Sequence, residues 1–319
     1  MSARPSTLTS TRPVRIVVAV AMIAVQLVLT ASVGAFVCGV GSARDVDRHT
    51  PAGSADRTGM VGGFVGRAVA AAESIALGRP GLESGMAVLD TGIGELSGSA
   101  SATPMYAASL TKLVVVVDIV ERRRAEQLPV TDSDVALIEL ALGPSDDFAM
   151  NELWTRFDGQ GAVSRVSERL GLTETSPPHD PSYWGEMVTS AADVVRLYAH
   201  VSTMPEADRQ LILGALASAP AVAADGFPQD FGLLAPGVVN TPVVKQGWMC
   251  CFEQTAYLHS AGFVGPDHRF VVALLSRQPY AGSWATSRDG LTDVASAVGS
   301  VLSLADNNTM QLNSRGQLD

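Results

Sequence analysis

The sequence has few positive charges, few cysteines and none of the glycine-rich signatures that bind nucleotides. Its 319 residues carry 22 Lys and Arg against 32 Asp and Glu, which gives a formal net charge of −10. A nucleic-acid partner normally requires a basic face, and no cluster of that kind is present. The Rossmann and P-loop glycine patterns are both missing, and the 5 histidines show no metal-ligand spacing. The sequence therefore predicts no nucleic-acid partner, no cofactor and no metal site.

Only 3 cysteines are present, so no framework of spaced disulfides is visible. Cys38 belongs to the N-terminal segment, whereas Cys250 and Cys251 are adjacent. The adjacent pair could be buried thiols, a vicinal disulfide or a redox device, and buried thiols are the favoured interpretation. The fold must then be held by its core, for which 47% hydrophobic residues are sufficient.

The N-terminal segment has the pattern of an export signal. Arg4, Arg12 and Arg15 precede an apolar run over residues 16–41. The run is also long enough to cross a bilayer, so residues 1–41 are predicted as a signal peptide or a membrane anchor. Cys38 permits a lipoprotein interpretation. The bulky residues just before it argue against this interpretation. Because the arginines stay inside, the rest of the chain is expected at the extracytoplasmic face of the cell membrane or secreted.

Beyond this segment the pattern predicts one folded domain. Residues 42–60 are small and polar and are predicted as a linker, residues 61–305 as the domain, and residues 306–319 as a flexible tail. The order within the domain is helix, two strands, an all-helical block, three strands and a final helix. Strands from both ends of a chain can join one antiparallel sheet. The prediction is an α/β fold with a sheet of about five strands, covered by the terminal helices on one face and by the helical subdomain on the other.

A candidate nucleophile lies in the stretch YAASLTKLVVVVDIVERRR, which is predicted to be helical over residues 108–127. Ser109 precedes Lys112 by three residues, so their side chains share one helix face. A serine hydroxyl is a poor nucleophile until a neighbour removes its proton, and a lysine shielded from water can do so because burial lowers its pKa. Ser-x-x-Lys alone is a weak signal, since a chain of this length is expected to contain such a match by chance.

Two further clusters follow in order along the chain. Ser145, Asp146 and Asp147 begin the stretch SDDFAMNELW, and Lys245, Gln246 and Gly247 lie in the predicted strand VVKQGWMCC. Taken with Ser-x-x-Lys, these clusters resemble the three signature elements of serine β-lactamases and penicillin-binding proteins. The resemblance covers about residues 60–304, and the ordered triple is far more specific than any single element.

The resemblance implies a role for each matching residue. Ser109 would be the acylated nucleophile and Lys112 its base. Ser145 would pass a proton to the leaving nitrogen, and Lys245 would polarise Ser145 and attract a substrate carboxylate. The backbone N–H groups of Ser109 and Trp248 would form the oxyanion hole.

The remaining residues implied in substrate binding are Tyr106, Asp147, Gln246, Gly247 and Trp248. Tyr106 and Trp248 would form walls of the cleft, and two of the others depart from the family pattern. Asp147 stands where the family has asparagine, and an ionised aspartate has no N–H to donate to a substrate carbonyl. Gln246 stands where the family has a hydroxyl residue.

A further departure concerns the loop that normally supplies the deacylating glutamate. Between Thr175 and Met187 the sequence has no clear Glu-x-x-x-Asn, and the nearby Glu174 and Glu186 lack the expected neighbours. More ordinary interpretations also remain open: Asp146 and Asp147 could cap a helix, Lys245 could be a plain strand lysine, and Trp248 could belong to the core.

The function expected from these observations is that of an exported serine hydrolase. The resemblance implies acyl transfer through a serine ester, with peptidoglycan-like peptides, β-lactams or esters as substrates. The alternative is a catalytically degenerate protein of the same fold that binds cell-wall peptide or a protein partner, which Asp147 and Gln246 favour. In either case the N-terminal segment would bring the protein to the membrane.

Overall fold

The structure is a computed structural model that describes residues 57–280 and 282–315, with side chains from Gly63 to Ala305. The predicted signal or anchor segment, residues 1–41, lies outside the described residues, as does most of the predicted linker. The first helix begins at Arg57, inside the segment predicted as linker. Within the described part, no helix is both long and apolar enough to cross a bilayer.

The elements alternate as the sequence predicts. The helices are α1 Arg57–Leu77, α2 Thr111–Ala125, α3 Asp132–Leu142, α4 Asp147–Arg156, α5 Gly159–Leu170, α6 Ala191–Thr203, α7 Glu206–Ala217 and α8 Ala285–Arg315. The strands are β1 Glu83–Asp90, β2 Glu95–Ser99, β3 Met105–Tyr106, β4 Val188–Thr189, β5 Val243–Phe252, β6 Thr255–Val264 and β7 Phe270–Pro279.

The main sheet has five strands in the order β2-β1-β7-β6-β5. Neighbouring strands are antiparallel throughout. β1 and β7 come from opposite ends of the domain and pair with each other inside the sheet. β5 is an edge strand, so one side of its backbone is not paired within the sheet. The short strands β3 and β4 form a separate pair that the sequence did not predict.

Successive side chains along each strand point to opposite faces of the sheet, so the hydrophobic core forms two layers, one on each face. Met86 and its partner Leu274 pack with α1 and α8 on one face of the sheet. Ala87 and its partner Ala273 pack with the helical block on the other face. The predicted layering is confirmed, and it leaves β5 at the boundary between the sheet and the helical block.

The structure changes two predicted boundaries. The helix predicted over residues 108–127 begins as a 3₁₀ turn at Ala108–Leu110 and continues as α2. The last helix, α8, continues past Ala305 to Arg315, into the segment predicted as a flexible tail.

The preference for buried thiols at Cys250 and Cys251 is wrong. Both residues are exposed, and the structure joins them in a vicinal disulfide. The physical reason lies in β5, whose residues are buried from Val243 to Gly247 and exposed from Cys250 to Phe252. The register with β6 also shifts between Met249 and Phe252. The apolar composition of this stretch therefore did not indicate burial at its end.

Candidate active site

Ser109 lies in a tight turn at the start of α2. The turn places Ala108 at φ 48°, in the left-handed region that alanine seldom adopts. The hydroxyl of Thr111 donates to the carbonyl of Ala108 (2.9 Å) and thereby holds the turn. Strained backbone of this kind is concentrated at functional sites. Ser109 itself is 5% exposed, so most of its surface is covered by neighbouring residues.

Lys112 connects three other side chains of the site. Its Nζ donates to Ser109 Oγ (3.1 Å), to Ser145 Oγ (3.1 Å) and to Asp147 Oδ1 (2.7 Å). The lysine side chain is fully buried. Burial lowers the pKa of Lys112 below its usual value, and the Asp147 carboxylate opposes part of this effect.

Ser145 lies between two amines. It occupies the turn between α3 and α4 with φ 59°, and its Oγ also accepts a hydrogen bond from Lys245 Nζ (2.8 Å). Burial, and secondly the charge of Lys112, lower the pKa of Lys245 well below its usual value. The structure therefore brings together Ser109, Lys112, Ser145 and Lys245, which the sequence places up to 136 residues apart.

The two aspartates after Ser145 have different surroundings. Asp146 caps α4, and its Oδ1 accepts from the N–H of Ala149 (2.9 Å). Asp147 is turned toward Lys112 and forms an ion pair with it, while its side chain remains 56% exposed. The capping interpretation thus holds for Asp146 and not for the Asp147 side chain.

A cleft of about 250 Å³ opens beside Ser109. Its lining is formed by Ala108 and Ser109, by Asp147, by residues 182–186 of the loop before β4, and by Trp248 and Met249 of β5. Gly247 allows β5 to come this close, because a Cβ at that position would lie 3.1 Å from the carbonyl oxygen of Ala107. The edge of β5 and the serine turn are therefore directly apposed.

Two residues predicted to bind substrate lie elsewhere. The side-chain amide of Gln246 donates to the backbone carbonyls of Gln229 (3.0 Å) and Phe231 (2.6 Å), on the side of β5 away from Lys245. The Tyr106 ring packs edge-on against Phe252 and Tyr257 and is not part of the cleft lining.

Several residues in or beside the cleft were not assigned a role in the site from the sequence. Trp184 lies with its ring 5.0 Å from Lys112 Nζ, and its indole N–H donates to Asn151 Oδ1 (2.8 Å). Glu186 belongs to the same lining. Asp225 accepts a hydrogen bond from the indole of Trp248 (3.0 Å). These residues come from irregular segments, where only the unusual aromatic content of the SYWGE stretch was available as a signal.

His259 supports the serine turn from behind. The N–H of Ser276 donates to its Nδ1 (3.2 Å), so the proton resides on Nε2, which donates to the carbonyl of Tyr106 (2.7 Å). The ring is completely buried, and burial lowers the pKa of His259 to about 4.

The unfolding free energy should therefore depend on the state of His259. The pKa is near 6.5 in the unfolded chain and about 4 in the folded one, so only the unfolded state binds a proton between these values. Stability present above about pH 6.5 should be lost as the pH falls toward 4, by up to about 3 kcal/mol. Urea unfolding across this range should show a shallower pH dependence for His259→Gln, whereas the exposed His179→Gln should behave as wild type. Equal slopes for all three proteins would contradict the prediction.

Comparisons with known proteins place this geometry in context. No family model matches the chain. Proteins provisionally named lipoprotein LppW, from Mycobacterium bovis and Mycobacterium tuberculosis, are 32% identical over 199 residues. The match covers 61% of this chain and 63% of those relatives, so it spans less than two thirds of their length.

The similarity to solved structures is broader in coverage and lower in identity. PBP-A has a TM-score of 0.60 at 16% identity, covering 73% of this chain and 96% of PBP-A. The extended-spectrum β-lactamase TLA-1 has a TM-score of 0.62 at 12% identity, covering 74% of this chain and 99% of that protein. A point mutant of PBP-A, solved as an acyl-enzyme complex with penicillin G, has a TM-score of 0.59 at 17% identity, covering 73% and 96% of the respective chains. The chain therefore has the serine β-lactamase and penicillin-binding protein fold, of which it is a divergent representative.

Proposed function

We propose that the protein is an exported serine hydrolase that acts by acyl transfer through an ester on Ser109. The observation that carries the proposal is the buried Lys112 amine, 3.1 Å from Ser109 Oγ at the edge of an open cleft. A buried amine with a lowered pKa can accept the serine proton, and this makes the hydroxyl a nucleophile. The substrate class is peptidoglycan-like peptides, β-lactams or esters.

The hydrogen bonds of the site provide a route for the proton. In the proposed reaction, neutral Lys112 takes the proton of Ser109 as the hydroxyl attacks the substrate carbonyl. Ser145 Oγ lies 3.1 Å from the same amine, so it can hand a proton to the leaving group and recover one from Lys112. Lys245, 2.8 Å from Ser145 Oγ, orients this hydroxyl.

The edge of β5 would stabilise the negative charge that develops on the carbonyl oxygen. The N–H groups of Ser109 and Trp248 belong to the two segments that Gly247 allows to approach. Backbone donors fixed in this way are typically worth about 10²- to 10³-fold in rate each. Both residues line the cleft, which supports their assignment to an oxyanion hole.

The comparisons support two parts of the proposal. The PBP-A mutant solved as a penicillin G acyl-enzyme has the same fold, so this scaffold can hold an acylated serine. The lipoprotein name of the mycobacterial relatives is consistent with export and attachment to the membrane, which the apolar N-terminal run also predicts.

A second candidate is a degenerate protein of this fold that binds cell-wall peptide or a protein partner without turnover. Two observations favour it. Asp147 holds Lys112 in an ion pair (2.7 Å), which stabilises the protonated amine. The Gln246 side chain is bonded to backbone carbonyls and provides no hydroxyl to the cleft.

Labelling with a fluorophosphonate or a fluorescent penicillin tests the proposal. We expect one adduct per chain, located on Ser109 by peptide mass spectrometry. This hydroxyl lies beside Lys112, which can accept its proton, and it faces the cleft that the probe would enter. Ser109→Ala should remove the label, whereas Ser182→Ala, which changes another serine of the cleft lining, should retain it. An adduct on Ser145 alone would overturn the assignment of roles, and a folded protein that takes no label would favour the binding protein.

A further inference from the structure

We infer that Tyr198 of α6 is a positioning residue, which fixes the main chain of β5 at Lys245 and thereby holds the Lys245 amine against Ser145. The expected effect on rate rests on the proposed function, since it concerns the acylation of Ser109, whereas the expected effect on Lys245 does not. Three features carry the inference: the hydrogen bonds of the tyrosine hydroxyl, its burial, and the place of its ring between β5 and α2.

The Tyr198 hydroxyl joins backbone groups of two neighbouring strands. It donates to the carbonyl of Ala261 on β6 (2.8 Å) and accepts from the N–H of Lys245 on β5 (3.2 Å). Lys245 and Ala261 are directly opposite each other in the β5–β6 register, so one hydroxyl serves both residues of a pair. These two bonds tie α6 to the sheet at the strand position that carries the second lysine of the site.

The position of β5 at this residue matters because the Lys245 amine has a fixed partner. Its Nζ donates to Ser145 Oγ (2.8 Å) and to the carbonyl of Gln246 (2.9 Å). The side chain starts from the backbone atoms that Tyr198 holds, so a shift of β5 carries the amine away from Ser145. A misplacement of about 1 Å in a reacting constellation can cost about 10²-fold in rate.

The surroundings of the hydroxyl leave its two partners no access to solvent. Tyr198 is completely buried, and its ring packs edge-on against Phe263 of β6, with 5.3 Å between the ring centroids. Burial raises the pKa of Tyr198 above its usual value, so the hydroxyl keeps its proton and donates it to the Ala261 carbonyl. A buried backbone group that loses its partner is costly, which favours the geometry in which the hydroxyl bonds to both strands.

The Tyr198 ring also lies beside the helix that carries the nucleophile. Together with Leu110 and Leu113 of α2 it lines a space of about 10 Å³, which is about the volume that one water molecule needs. Leu110 directly follows Ser109, and Leu113 directly follows Lys112. Tyr198 therefore packs between α2 and β5, the two elements that bring the lysines of the site to Ser145.

Tyr198→Phe tests the inference, because it removes only the hydroxyl oxygen and keeps the ring. Ser260→Ala is the matched control: it removes a buried hydroxyl that accepts from the N–H of Leu233 (2.9 Å), on the other face of β6. The maximal rate of fluorophosphonate labelling of Ser109 should fall about 10- to 100-fold in Tyr198→Phe and stay near wild type in the control.

Two further measurements exclude a merely structural effect. Thermal unfolding of both variants sets a labelling temperature at which both are folded. The probe concentration that gives the half-maximal labelling rate should be unchanged in Tyr198→Phe, because Tyr198 is not part of the cleft lining. An unchanged maximal rate in Tyr198→Phe, or an equal loss in Ser260→Ala, would overturn the inference.

A double-mutant cycle shows whether Tyr198 acts through Lys245. Lys245→Met removes the amine and keeps an unbranched side chain. If the role of Tyr198 is to hold this amine, Tyr198→Phe should lower the labelling rate of the Lys245→Met protein by less than about twofold, which is the limit for independent changes. The same proportional loss in both backgrounds would mean that Tyr198 acts on the site in another way, and it would contradict the inference.

A spectroscopic readout separates this inference from the proposed function. The chain has two lysines, Lys112 and Lys245, so NMR of ¹³C-labelled lysine observes both side chains, and Lys245→Met assigns them. In Tyr198→Phe the pKa of Lys245 should rise toward its usual value, because a loosened strand admits water to an amine whose pKa burial lowers. Ser260→Ala should keep the wild-type titration.

The outcome of the NMR titration holds whether or not the protein is a hydrolase. A raised Lys245 pKa in Tyr198→Phe alone supports the inference even if fluorophosphonate labels nothing, in which case only the hydrolase proposal fails. A Lys245 titration that is identical in Tyr198→Phe and wild type overturns the inference even if Ser109 is labelled.

Discussion

Replacing Lys112 with alanine is expected to lower the rate of Ser109 labelling by roughly 10²- to 10⁴-fold, the usual contribution of a positioned general base. Without the amine, the serine proton has no acceptor at 3.1 Å. Lys112→Met is the matched variant, because its unbranched chain fills the buried space that alanine would leave empty. Both variants should lose labelling, and thermal unfolding should show that Lys112→Met is folded.

The pH dependence provides a second readout of the same prediction. The base must be unprotonated, so labelling should rise with pH through the pKa of Lys112, which burial places below its usual value. Lys112 and Lys245 are the only lysines in the chain, so NMR of ¹³C-labelled lysine side chains can follow both titrations directly. Labelling rates that are unchanged in Lys112→Met would mean that another group activates Ser109.

The rarity of lysine in this chain is itself a signal for the active site. The chain contains 22 Lys and Arg, and its two lysines lie together in the site, each within 3.1 Å of Ser145 Oγ. Arginine stays protonated, whereas lysine changes its pKa readily on burial. A lysine in a chain whose other basic residues are arginines is therefore a stronger candidate for proton transfer than the motif spacing alone suggests.

The parts of the site that follow local rules were predictable, and those that depend on side-chain direction were not. Ser109 and Lys112 share a helix face, and the alternation in β5 places Lys245 toward the helical block. The same alternation turns Gln246 to the other side, toward the carbonyls of Gln229 and Phe231. The segment that accepts these bonds has no regular pattern of its own, so its position was not accessible from the sequence.

The contacts made by residues outside the regular helices and strands were the least predictable. Asp225 follows Ser109 by 116 residues and accepts a hydrogen bond from the indole of Trp248, which lines the cleft. Trp184 likewise reaches Lys112 from an irregular loop. Contacts of this kind depend on tertiary packing between loops, for which neither helical nor strand periodicity provides information.

The second large effect concerns the fate of the acylated serine: any β-lactam adduct is expected to be long-lived. Release of the enzyme requires a water activated beside the ester. The only carboxylate that the 182–186 segment contributes to the cleft lining is Glu186. The position near Lys112 is occupied by the Trp184 ring, whose indole N–H donates a hydrogen bond to Asn151. An indole offers no base for water. Glu174, the other acid noted in the sequence, is not part of the lining.

Acylation should therefore outpace hydrolysis, so that the covalent complex accumulates. Nitrocefin turnover measured beside intact-mass spectrometry should show a persistent adduct and a steady-state rate far below about 10 s⁻¹, the median for enzymes. Glu186→Gln should leave the adduct lifetime unchanged, because the sequence after Glu186 lacks the asparagine of the Glu-x-x-x-Asn pattern that accompanies the deacylating glutamate. A shorter-lived adduct in the wild type than in Glu186→Gln would identify Glu186 as the deacylating base. Turnover above about 10 s⁻¹ without a detectable adduct would contradict the prediction. Such turnover would require an activated water beside the Ser109 ester, despite the Trp184 ring near Lys112.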